Sequence, residues 1–63
     1  MKLIEENNFT SFSYYSQLAA KAEIAREYEV AMPLWRKAAF LAKNNRNIEW
    51  AVRRKRFCSK RMQ

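Results

Sequence analysis

The chain has 63 residues and a net charge of +7, with one cysteine, one proline and neither histidine nor glycine. So short a chain supports one small domain that buries only about 60% of its unfolded surface, so it is marginally stable alone and self-association into a dimer is expected. A lone Cys58 excludes an internal disulfide and a cysteine-based zinc site, the missing histidine removes the usual neutral-pH base and commonest metal ligand, and the missing glycine leaves no place for a phosphate-cradling loop. Because Ser11, Ser13, Ser16 and Ser59 stand in no nucleophile motif either, the chain reads as a binding protein and not an enzyme, without catalytic residues, metal or cofactor.

The amino terminus carries Glu5 and Glu6 where a signal peptide would have its apolar core, and no run approaches the roughly 18 apolar residues of a membrane span. A cytoplasmic protein with no membrane partner is expected, its cysteine a free thiol in a reducing compartment and the Asn8-Phe9-Thr10 sequon a coincidence. Residues 1–10 read as a lead-in to a helix capped by Thr10, Ser11 or Ser13, with Ser11 or Ser13 favoured; no Glu or Gln lies three residues on to complete a capping box.

The first helix is expected over residues 12–27, where good helix formers predominate. Tyr15, Leu18, Ala22 and Ala25 make one apolar stripe and Ala20, Ile24 and Tyr28 a second, so that this helix is either covered on two sides within a three-helix domain or joins two copies of the chain. The second helix is expected over 30–43, with Pro33 in its first turn, where a missing amide is tolerated. Ala31, Leu34, Trp35, Ala38, Leu41 and Ala42 recur at steps of three and four along its inner face. Met32, Arg36, Phe40 and Lys43 lie opposite, and Phe40 is expected either to be a contact residue or, preferably, to be covered by the third helix.

In Asn44-Asn45-Arg46-Asn47 one asparagine is expected to take the left-handed conformation that ends a helix, and Asn47 to cap the third helix, over 48–60. This last helix is amphipathic and basic. Residues 32–63 hold ten bases against the single acid Glu49, with Arg53, Arg56 and Lys60 on one edge and Trp50, Ala51, Phe57 and Cys58 on the other. Such a face suits nucleic-acid phosphates, an acidic protein patch or an anionic membrane, or is simply a solvated cationic surface. The fold expected is a small all-α, three-helix domain built on a helical hairpin.

Tyr28-x-x-Ala31-x-x-x-Trp35-x-x-Ala38 resembles the junction of a tetratricopeptide-type hairpin, although the usual glycine at the turn is absent. Together with Leu18-Ala19-x-x-Ala22-Glu23 and Asn47-x-x-Trp50-Ala51-x-x-Arg54-x-x-x-Cys58, this pattern is similar to the AraC negative regulator (ANR) family of small bacterial proteins over residues 14–58. The resemblance implies a cytoplasmic anti-activator that binds an AraC-type virulence activator and stops it dimerising or holding its promoter. On the residues, Leu34, Trp35, Phe40, Leu41 and Trp50 are the expected binding surface and its support, the two tryptophans as support. The alternative is a small basic DNA-associated regulator, acting on promoters or with nucleoid proteins, with Arg53, Arg56 and Lys60 on phosphates.

Overall fold

A computed structural model of the chain describes residues 11–62 as three helices: α1 (Phe12–Ile24), α2 (Tyr28–Leu41) and α3 (Asn45–Arg61). The all-α, three-helix class is the one expected. The lead-in, the sequon and Thr10 as a cap lie outside the described residues. Ser11 caps α1, its hydroxyl accepting from the Tyr14 amide at 3.1 Å.

The junctions explain where the boundaries differ from expectation. After Ile24 the chain turns through Arg26, which stands at φ 61°, the one positive φ among the described residues. The Glu27 amide donates to the Ala22 carbonyl at 2.8 Å and the Arg26 amide to the Glu23 carbonyl at 2.9 Å. This double closure is the Schellman arrangement, with an arginine where glycine is favoured. It stops α1 three residues early and starts α2 at Tyr28, so Pro33 falls in the second turn of α2 and not the first. At that depth proline cannot donate to the Glu29 carbonyl.

The second junction uses no left-handed residue. Ala42 ends α2 in an extended conformation, φ −65° and ψ 144°, and Asn44 caps α3, its side chain accepting from the Asn47 amide at 2.9 Å. Asn47, expected as the cap, is the recipient of the cap. Three residues of polar side chain therefore join the helix and lengthen it at its amino end.

α2 runs between the other two and packs along most of its length against both, whereas α1 and α3 scarcely meet. Tyr28 at the start of α2 faces Phe57 near the end of α3 at 6.2 Å, and Trp35 faces Trp50 at 5.1 Å, so α2 and α3 form an antiparallel hairpin. The Cα atoms span 40 × 25 × 13 Å, a thin slab. Its core is five alanines (Ala19, Ala22, Ala31, Ala38 and Ala51), Cys58, and Trp35 at 1% exposure. The alanines let the helix backbones approach, and the single indole fills the space that opens between α1 and α3.

Two expectations fail on this geometry. α1 is not covered on two sides: it packs on α2 and scarcely meets α3, and of its second stripe Ile24 is 83% exposed while Ala20 and Tyr28 are partly buried against the core. Phe40 is not buried under α3; it is 82% exposed, because it stands about 200° round α2 from Ala38, beyond the reach of either neighbour.

Candidate functional site

The described residues contain no group of His, Cys, Asp or Glu able to hold a metal, and no helix of the described chain is long and apolar enough to cross a membrane. Their most organised chemistry lies where the three helices converge. Glu23 of α1 receives the Trp35 indole N–H of α2 at 2.5 Å on Oε2 and the Arg54 Nε–H of α3 at 3.2 Å on the same oxygen, while Arg54 Nη2 donates to Oε1. The Arg54 guanidinium also lies 4.5 Å from the Phe57 ring centroid, and Arg61 lies 4.8 Å from it.

Electrostatics at this node follow from its burial. Desolvation pushes the Glu23 carboxyl up, but the hydrogen bonds from Arg54 and Trp35 outweigh it and hold the group below its ordinary 4.5. The Glu23 bond holds Arg54 more firmly protonated than usual. Cys58, fully buried, is pushed up to about 11 by desolvation and by the Glu23 carboxylate. A thiol so placed is a poor nucleophile and a poor disulfide partner. The node is a tie between helices, with no position left for a substrate.

The residues expected to carry binding are distributed over different faces. Trp35 is core, and Leu34 is half-buried against it. Trp50 is 47% exposed; it lies edge-on to Trp35 and 5.9 Å from Phe12. Leu41 lines a shallow depression of about 640 Å³ at the same end of the slab, with Phe12, Lys43, Asn44 and Asn47. Phe40 stands apart from all of these. Its neighbours on the open arc of α2 follow the steps Val30, Pro33, Lys37 and Phe40, one face of a helix and about 15 Å long. Val30 is 45% exposed and Pro33 is open to solvent. The Lys37 ammonium sits 5.9 Å from the Tyr15 ring centroid of α1, which draws it off the stripe.

Arg53, Arg56 and Lys60 are all exposed, on the outer arc of α3, where Arg46 and Glu49 join them. Sequence reasoning missed Val30 and Pro33 as members of an exposed stripe and missed the Glu23–Arg54 pair altogether.

No protein-family model and no solved structure matches the chain. Over 53 residues it is 42% identical to an uncharacterized protein in the Mu-like prophage FluMu region of Haemophilus influenzae, an alignment that covers 84% of this chain and 71% of that one. With identity of that extent, the chain belongs to the same protein family as the FluMu-region protein.

Proposed function

We propose that this protein is a negative regulator of transcription that acts in the cytoplasm, binding an AraC-type virulence activator by protein–protein contact and preventing its dimerisation or its hold on DNA. It is a binding protein and not an enzyme. The observation that carries the reading is Phe40, a large apolar side chain 82% exposed on a stable helix, in line with Val30 and Pro33 and flanked by Arg36 and Lys43. A small domain seldom leaves such a stripe open unless something else covers it. An amphipathic helix with apolar anchors one, two and three turns apart is a common way to fill a groove on a partner.

The resemblance to AraC negative regulators supports the choice of partner. Of its motif residues, all but Leu18 and Asn47 (Ala19, Ala22, Glu23, Tyr28, Ala31, Trp35, Ala38, Trp50, Ala51, Arg54 and Cys58) are the core and ties of this fold. They would preserve a scaffold while the outward stripe selects the activator. The test is capture of AraC-type activators from the same cell, with and without promoter DNA, by the wild type and by Phe40→Ala. An anchor residue contributes about 2 kcal/mol or more, so Phe40→Ala should weaken capture at least about 30-fold with an unchanged circular dichroism spectrum. Equal capture by the folded variant would overturn the assignment of this face, and capture of no activator by the wild type would overturn the function.

A further inference from the structure

A second surface, on α3, is independent of the α2 stripe. This helix has seven bases and one acid. Arg54 is engaged with Glu23, Arg61 lies over Phe57, and Lys55 is half-buried. The remaining four, Arg46, Arg53, Arg56 and Lys60, are exposed and have no ion-pair partner among the described residues. Their steps of seven, three and four residues bring them within about 80° of arc on the helix. They form a straight cationic ridge about 21 Å long, on the edge of a slab only 13 Å thick.

We infer that this ridge binds the phosphate backbone of double-stranded DNA without reading its sequence. Four like charges in a line, with only Glu49 among them, repel one another, and that arrangement is relieved by a linear polyanion. Duplex DNA presents a negative charge about every 1.7 Å of its axis, hence about twelve phosphates over the length of the ridge, a density no ordinary protein surface offers. The ridge has no continuous apolar border with which to enter a lipid surface. Base reading is not part of the inference: α2 lies antiparallel along α3, unlike the crossed pair that drives a recognition helix into the major groove.

The experiment is fluorescence anisotropy of a labelled 24-base-pair duplex of arbitrary sequence, titrated with the full chain between 50 and 200 mM salt. Four phosphate contacts give a slope of log K against log salt near −3.6, an affinity loss of about 150-fold over that range. In the Arg53→Gln, Arg56→Gln, Lys60→Gln triple variant the slope should shrink to about −0.9, a loss of about 3.5-fold. Glu49→Gln should tighten binding, and Phe40→Ala should leave it unchanged. No binding at 50 mM salt, or a slope that the triple variant does not alter, would overturn the inference. So would loss of activator capture in the triple variant with the duplex unbound, which would assign the ridge to an acidic protein face.

Discussion

The node at Glu23 and the stripe at Phe40 both draw on α2, the node through Trp35 alone, and resolve opposite problems. At the node, a carboxylate is taken most of the way out of water and receives donors from two other helices, the Trp35 indole of α2 on Oε2 and the Arg54 guanidinium of α3 on both oxygens. On the stripe, apolar side chains remain in water, Phe40 82% and Val30 45% exposed among the described residues. The contrast separates what makes the fold from what the fold is for. Residues that answer one another across the slab set its shape, and their replacement should be read in stability; residues that answer nothing within the chain should be read in binding.

The largest effect is expected at Trp35, the one bulky group in a core otherwise made of alanines and a cysteine. Trp35→Ala removes its burial, leaves a cavity between α1 and α3 and deprives Glu23 of a donor. A cost of about 3–5 kcal/mol is expected, against a total stability of about 3–9 kcal/mol for a chain of this length. Chemical denaturation followed by circular dichroism should find the unfolding midpoint sharply lowered. A cooperative transition at the wild-type midpoint would show that the alanine contacts hold the slab without the indole.

Glu23→Gln tests the node with little change of shape. The amide keeps one acceptor, loses the charge that Arg54 meets and leaves that cation with a weaker partner; about 1–2 kcal/mol should be lost, less than for a fully buried pair because Arg54 is partly solvated. The pH dependence carries a sign. Since the folded carboxyl titrates below its ordinary 4.5, the unfolded chain takes up the proton first as pH falls. The contribution is therefore complete above about 4.5 and drains away as the pH drops through the folded value. Urea midpoints measured from pH 7 down to pH 3 should show that acid limb in the wild type and a shallower one in Glu23→Gln.

Why the helices and core were legible in the sequence, and the node was not, follows from how each is encoded. Ala31, Trp35 and Ala38 repeat at helical spacing, so a local pattern announces the inner face of α2. Glu23 and Arg54 lie 31 residues apart, and nothing local links them. Both stand in the ANR-like motif, but in separate segments of it that nothing in the sequence pairs. Phe40 was misplaced for a related reason. Its size argued for burial, but its angle on the helix, visible in the same sequence, put it opposite Ala38, and angle decides what a neighbouring helix can reach. Pro33 was expected in a first turn because the α1–α2 break was placed late; the break comes early because Arg26 accepts the left-handed conformation.

That turn supplies a smaller and opposite effect. An arginine at φ 61° carries the steric cost of a Cβ in the left-handed region, about 1–2 kcal/mol, whereas glycine carries none but loses more chain entropy. Arg26→Gly should stabilise the domain by about 1 kcal/mol, read as a raised denaturation midpoint with an unchanged slope. Cys58 provides a kinetic companion. Buried and pushed up to about 11, its thiol should react with a disulfide reagent at pH 8 many times more slowly in the folded chain than in urea. Stability should fall as pH rises from about 9 towards 11, because the unfolded thiol gives up its proton first.

The smallest expected change in stability is the most informative one for function. Phe40 is 82% exposed and stands outside the core cluster, so Phe40→Ala should move the unfolding free energy by less than about 0.5 kcal/mol. Helix propensity even favours the alanine slightly. A loss of 2 kcal/mol or more would mean that Phe40 supports the fold after all, and the line drawn between node and stripe would fail there. If stability holds while activator capture collapses, the large apolar side chain left open to water on α2 is the one whose burial is completed by another protein.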